Sequence, residues 1–559
     1  MSDQSEPQWE GRLAISVLVL LLASLLWRVR FGVDFTDESF YVALPYRFAL
    51  GDTPFVDELN VVQTSALLTF PFVKLYVLAT GSTGGIVLFT RHLYVAFVML
   101  TTAVVFSSLR AFLRWPPALL ISSICLVFIP FNIPNLSYNS MGAGFFAMGC
   151  FLGLKVIGAP RGAAEARPCR PVSLVFAGLC HALAVVAYPT IIVAAIAYMV
   201  ALISLLERRR NCLYYVAGAV PVVLGVVWVL SLGGLDGVLE SLRYTQTRPV
   251  GGGFGKLVGL VNGLGTSLSR GWLTLVLGGL IVFLARRGSR WALCLLVLLP
   301  LTALRARFPF GAPKWSMGVV LHLGLLSMFF YAFVRRGVFR SMFLLVCVPS
   351  VVAGLALSYT SGNGFISAGL GLLPAALTGL VFLAAAVSDM AGRNRSLVSL
   401  SLGAIVLALC FSQYTGFYRE DRYSSLVAPV HDGPYAGLYT STKRQREIAA
   451  LQGSLRGVIR PSDRRIFFYG FPAGYLFTDL RPAARSLWTD RIDLDDTLRY
   501  FRSGNQPAVI VENTGRGPFR NERLTGPTRD ERLKGFLVES GYALVAAVEG
   551  FEIYRSSRQ

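Results

Sequence analysis

Six carboxylates, Asp34, Asp37, Glu38, Asp52, Asp57 and Glu58, crowd into the stretch VDFTDESFYVALPYRFALGDTPFVDELN. Residues 1–418 hold only fourteen acids, and acids that persist beside lipid tend to mark sites. A carboxylate at a membrane surface can accept the proton of a hydroxyl while that oxygen attacks carbon. Asp37 is the candidate general base, and Glu38 would orient it or help hold a cation. A structural reading is compatible with this. Thr36 or Asp37 would cap a helix start, where an acid suits the exposed N–H groups and the positive end of the dipole. In GDTPFVDELNVVQTS, Asp57, Asn60 and Gln63 add groups that could bond a hydroxyl-rich ligand. Asp34, Asp52 and Glu58 read as solvated.

These acids follow the first of many apolar segments. The chain has 559 residues, 54% hydrophobic and 15% charged, with a mean hydropathy of +0.58. A soluble protein carries roughly 25% charged residues. Several runs reach the roughly 20 residues that cross a bilayer as a helix. The expected fold is a polytopic α-helical membrane protein. Spans fall at about 13–28, 84–108, 116–133, 141–158, 173–187, 190–206, 213–234, 272–286, 291–304, 316–334, 341–358, 369–388 and 397–417, about thirteen in all. Tyr188-Pro189 divides two of them, since proline removes a backbone donor. The span after the polar N-terminus lacks a small-residue cleavage site, which reads as a retained first helix.

The net charge of +21 is explained by Arg-rich loops between spans, the positive-inside pattern. No nucleic-acid motif accompanies it. Loop charge puts the N-terminus inside, and the 29–83 loop and residues 418–559 outside. Arg28, Arg30, Arg243, Arg248, Arg305, Arg307 and Lys314 then break the rule. Cations that break it are candidates for binding an anion, the last five foremost. Segments FYVALPYRFAL and ALLTFPFVKLYVLA read as two amphipathic helices on the membrane surface. The next outer loop, PFNIPNLSYNSMG, places Tyr138 and Asn139 as polar lining. In YTSGNGFISAG, Asn363 sits between two glycines that would let backbone approach a phosphate.

Residues 418–559 change character, with 22 basic and 17 acidic residues. RIFFYG, PAVIVEN and EIYR read as strands, and segments near 441–455 and 528–541 as helices. This is the pattern of a small α/β domain able to bury its own core. The eight cysteines show no metal spacing and none follows Cys410.

TDES after the first span, and Gly51, Pro54 and Asp57 in a G-x-x-P-x-x-D pattern, sit in a recognisable layout. It comprises a first helix, an Asp-Glu pair in a long outer loop, two surface helices, about thirteen spans and a terminal domain. The chain resembles the GT-C membrane glycosyltransferases, in particular bacterial relatives of protein O-mannosyltransferases and of the lipid A aminoarabinose transferase. The resemblance implies a sugar donor carried on polyprenyl phosphate, an extracytoplasmic hydroxyl acceptor, inversion, and Asp37 as base. It implies a bacterial cytoplasmic membrane, with residues 1–417 as catalytic domain and 418–559 outside. Arg243, Arg248, Arg305, Arg307 and Lys314 would hold the lipid phosphate. Many such enzymes carry an acid in the next outer loop, where this chain has Tyr138 and Asn139. No cofactor is required by this pattern, and a divalent metal at the acids stays open. The rival readings are a transporter or flippase of a lipid-linked glycan and a non-catalytic glycan-binding membrane protein. A transporter more often shows mid-span acids and repeat symmetry.

Overall fold

The computed structural model describes residues 8–157, 169–205, 209–247, 253–287, 314–333, 337–388, 395–489, 493–514 and 531–557, with single positions between 289 and 299. It is a bundle of apolar helices with a small C-terminal sheet region. Helix α1 (Gln8–Arg28) leads into an extended stretch and then α2 (Asp37–Ala49) and α3 (Gln63–Thr80). Next come α4 (Ile86–Leu109), α5 (Trp115–Ser122), α6 (Ile124–Val127), α7 (Tyr138–Ile157), α8 (Cys169–Ala187), α9 (Ile192–Leu205), α10 (Arg209–Thr247) and α11 (Gly253–Arg286). Further apolar helices run over Trp315–Phe333, Val348–Thr360, Leu373–Ser388 and Arg395–Ser412.

Four helices among the described residues are long and apolar enough to cross a membrane: Gln8–Arg28, Ile86–Leu109, Asn211–Thr245 and Phe339–Thr360. The number rises to six if each of two bent pairs is one span. Five shorter apolar helices join them. Leu224, Trp228 and Leu235 of α10 are exposed. Such a surface suits lipid, which asks only that backbone groups be paired within the helix. The expected span at 291–304 lies mostly outside the described residues. The break at Tyr188-Pro189 is as expected. Tyr188 is extended (φ −141°, ψ 93°) and a short turn follows before α9, because the residue before proline avoids the helical region.

The two segments expected on the membrane surface are helical, but α2 is not amphipathic in its surroundings. Every residue from Glu38 to Phe48 is buried. It packs against α3 on one side and the turn Pro472–Phe477 on the other. Its polar residues are therefore internal and need internal partners.

In the C-terminal region five strands form one sheet in the order β4-β3-β5-β7-β6. They are β3 (Arg465–Tyr469), β4 (Arg481–Pro482), β5 (Val509–Asn513), β6 (Tyr542–Val548) and β7 (Phe551–Ser556); β1 (Ala428–Pro429) and β2 (Tyr439–Thr440) pair separately. Strand β3 runs parallel to β4 and β5, with Ile466 opposite Val509. Strand β7 is antiparallel to β5 and to β6. Helices Thr442–Val458 and Glu531–Glu539 lie where the sequence expects them. The β6 strand, YALVAAV, was not expected.

Candidate active site

The stretch between α1 and α2 is held from below by one cation. Arg91 of α4 donates to the carbonyls of Val29 (2.7 Å), Phe31 (3.1 Å) and Gly32 (2.8 Å). The same guanidinium grips both oxygens of Glu38, at 2.7 and 2.6 Å. Asn135 adds a third bond to Glu38, at 3.1 Å. A buried ion pair is tolerable only when its remaining donors and acceptors are also met, and here they are. Glu38, expected to orient Asp37 or hold a cation, is instead fixed to Arg91.

Asp34 caps α2. Its Oδ1 accepts from the Thr36 amide (3.0 Å) and hydroxyl (2.5 Å), and its Oδ2 from the Glu38 amide (2.8 Å). Thr36 makes no side-chain cap bond. So the cap comes from Asp34, a residue expected to be solvated, and not from Thr36 or Asp37. Asp34 is buried. Burial, and then the neighbouring Asp37 charge, push its carboxyl up to about 6.

Relieved of capping, Asp37 keeps its side chain 27% exposed. Its Oδ2 accepts from the Tyr418 hydroxyl at 2.5 Å, and Arg419 stands 3.6 Å from the same oxygen. Among the described residues Oδ1 has no partner. Burial and the Asp37 charge push the Tyr418 hydroxyl well above the usual tyrosine range, so it remains a donor. The Tyr41 and Tyr138 rings meet edge to face at 5.6 Å, and Tyr138 meets Tyr188 at 5.1 Å. An aromatic wall thus runs from α2 to the turn before α9. A carboxylate with one fixed and one open oxygen, beside a cation, can take a proton from a bound hydroxyl.

The other expected residues divide clearly. Tyr138 stands at the start of α7, and Asn139 is buried beside it. Asp57 closes a turn by accepting from the Thr53 amide at 2.7 Å. Gln63 is fully buried; it donates to the Glu58 carbonyl (2.8 Å) and accepts from the Phe55 amide (2.8 Å), so both ends of its amide are used. Asp52 and Glu58 are not solvated. Arg47 bonds them at 2.7 and 2.9 Å and also donates to the Ala484 carbonyl at 2.9 Å. Asn363 is exposed, in the turn between two helices. Arg243 is exposed on α10, and Lys314 lies 6.0 Å from the Phe131 ring centre. Arg248, Arg305 and Arg307 lie outside the described residues. Arg28, one of the cations that break the charge rule, is buried. It donates to carbonyls of Phe31 (3.0 Å) and Gln413 (3.1 Å).

Tyr418, Arg419, Tyr41 and Arg91 were not anticipated. Arg91 carried a signal, being a cation inside an apolar run. The other three carried none, because their roles depend on segments brought together from remote parts of the chain. Among the described residues no group of three or more His, Cys, Asp or Glu side chains is placed to hold a metal ion.

Beside the site an apolar groove of about 530 Å³ runs between α8, α9 and α10. Leu67, Val185, Ile192, Val223 and Leu230 line it, and Phe55 and Pro189 lie at its wall. Pro189 follows Tyr188, the last ring of the aromatic wall.

No protein-family model matches the chain, and no curated protein matches it. Solved structures do show similarity, two of them as follows. One is the archaeal oligosaccharyltransferase AglB from Archaeoglobus fulgidus, in complex with an inhibitory peptide and a dolichol-phosphate. Its TM-score is 0.45 at 11% identity, covering 98% of this chain and 74% of that one. The other is ArnT from Cupriavidus metallidurans bound to undecaprenyl phosphate, with a TM-score of 0.41 at 11% identity, covering 98% of both chains. One is an oligosaccharyltransferase, and both structures hold a lipid phosphate.

Proposed function

We propose that the chain is a GT-C-type glycosyltransferase that moves a sugar from a polyprenyl phosphate to a hydroxyl acceptor outside the cytoplasm. One observation carries the reading. Of six clustered acids, Asp34, Glu38, Asp52, Asp57 and Glu58 each hold a backbone amide or a buried arginine, while Asp37, its side chain 27% exposed, meets the side chains of Tyr418 and Arg419 and keeps Oδ1 without a partner among the described residues. The acceptor oxygen attacks the anomeric carbon as its proton passes to Asp37. The bond from that carbon to the phosphate oxygen breaks, and its electron pair leaves with the phosphate, inverting the centre. Cations offset the negative charge that develops. Arg243, Arg248, Arg305, Arg307 and Lys314 remain proposed phosphate ligands. Tyr138, Asn139, Asp57 and Asn363 are proposed to face the sugar or its carrier. Glu38 and Gln63 act by fixing backbone.

The apolar groove suits the prenyl chain, since its wall reaches Pro189, next to the rings that lead back to Asp37. The reading includes about thirteen spans, a catalytic unit over 1–417 and an extracytoplasmic domain over 418–559, in a bacterial cytoplasmic membrane. Asp37→Asn tests it. In the purified full-length protein, release of undecaprenyl phosphate from a panel of synthetic undecaprenyl-phosphate sugars, with membrane extract as acceptor, should fall about a thousandfold. Thermal melting should be unchanged. Wild-type turnover in a folded Asp37→Asn protein would remove Asp37 as base.

A further inference from the structure

The segment that follows the last apolar helix does more than connect two regions. Arg419 adopts a left-handed backbone conformation (φ 52°), which a residue with a Cβ holds only when its surroundings impose it. Three contacts impose it. Arg444 of helix Thr442–Val458 donates to the Arg419 carbonyl at 3.2 Å. Glu420 accepts from the Val33 amide at 3.0 Å and from the Thr440 hydroxyl at 2.5 Å. Arg444 is itself buried, 4.0 Å from Glu420 and 4.8 Å from the centre of the Phe35 ring. The resulting bend points both Tyr418 and Arg419 at Asp37.

We infer that Tyr418 and Arg419 are positioning residues for the Asp37 carboxylate, and that Arg444 and Glu420 hold them there from the C-terminal region. The inference rests on Asp37 as the base. A carboxylate that swings freely presents no fixed oxygen to an acceptor, and misplacement by a fraction of an ångström is costly in rate. Tying Oδ2 to Tyr418 leaves Oδ1 as the oxygen that meets the hydroxyl. The C-terminal region then completes the catalytic geometry without touching the reacting atoms. The same region encloses the loop on its other sides. Tyr439 pairs with the backbone at Arg30 and Gly32, and the Tyr435 hydroxyl bonds Ser39 at 2.5 Å.

Tyr418→Phe removes one oxygen and keeps the ring. Measured in the full-length protein with an undecaprenyl-phosphate sugar that it turns over, this variant should lose kcat by about ten- to a hundredfold. Its KM, and its affinity for undecaprenyl phosphate alone, should stay within about twofold. Arg444→Gln, which touches neither Asp37 nor Tyr418 directly, should lower kcat with the same unchanged KM. In an Asp37→Asn background Tyr418→Phe should cost nothing further, because its effect passes through that carboxylate. Full kcat in Tyr418→Phe, a loss carried in KM, or an additive loss in the double variant would each overturn the inference. If Tyr418→Phe melts early, Arg419→Gln is judged by the same three criteria. An inactive Asp37→Asn beside a fully active Tyr418→Phe removes this inference alone. An active Asp37→Asn removes the reading beneath it.

Discussion

Asp34 and Asp37 share one turn of chain and one chemistry, yet burial sends them to different tasks. Asp34 is enclosed and spends both oxygens on amides and a hydroxyl at the head of α2. Asp37 is left half-open. The cost of enclosure is visible as a carboxyl raised to about 6 from the ordinary 3.8, by burial first and the Asp37 charge second. A carboxyl raised on folding binds more protons in the native state than in the unfolded one. Its contribution is therefore full below about pH 4 and is lost as pH rises through about 6. The loss is on the order of 3 kcal/mol. Asp34→Asn keeps one cap acceptor and no longer titrates. Its melting temperature should gain on the wild type as pH rises from about 4 to 7. A gap that stays flat over that range would show that Asp34 does not titrate there. Sequence alone marked the cluster but could not sort it. Asp34, Asp52 and Glu58 look as solvated as Asp57 until their partners are known, and Arg47 and Arg91 announce none.

At the scale of elements, the apolar runs were legible because a helix must pair its own backbone in lipid, and length and hydropathy report that directly. The fate of α2 was not. Its mixed sequence suits a membrane surface, and the packing of α3 and of the Pro472–Phe477 turn against it makes it internal. Helix α10 shows a similar dependence. It breaks at Gly234 (φ 67°, ψ 171°) and continues over the first loop. A Cβ on Gly237 would lie 2.3 Å from the Phe55 carbonyl oxygen, whereas one on Gly225 would meet nothing within 4 Å. Gly237→Ala must therefore push the outer part of α10 off Phe55, at about 1–3 kcal/mol. Gly225→Ala should be neutral or stabilise by about 0.5–1 kcal/mol through helix propensity. Thermal melting of the two variants separates them, and equal melting temperatures would refute the close approach. Since Phe55 borders the apolar groove, Gly237→Ala should also weaken undecaprenyl phosphate binding.

Across the whole molecule, the first loop, α10 and the C-terminal region are joined by two sets of charges of unequal worth. Arg485 meets Glu240 of α10 at 2.5 and 2.7 Å, with the Glu240 side chain open to solvent and that of Arg485 partly so. Arg47 meets Asp52, Glu58 and the Ala484 carbonyl in a buried setting, where Glu58 also accepts from the Leu487 amide at 3.2 Å. Neither set could be read from the sequence, because each pairs residues more than two hundred positions apart or depends on such a pairing for its burial. The acids at 52 and 58 were visible, and what encloses them was not. Geometry separates the two sets energetically. An exposed pair is screened and contributes below about 1 kcal/mol. Removing one partner from a buried pair strands the other charges and costs about 3–5 kcal/mol. Arg47→Ala should therefore loosen the C-terminal region from the first loop, while Arg485→Ala leaves it seated. Amide hydrogen exchange over 482–488 is the direct measure. Exchange there should rise markedly in Arg47→Ala and stay near wild type in Arg485→Ala. The reverse order would mean that the outer ion pair, and not the buried one, holds the two parts together. Because the C-terminal region carries Arg444 and the Glu420 contact to Thr440, Arg47→Ala should also reduce turnover, although Arg47 itself bonds neither Asp37 nor Tyr418.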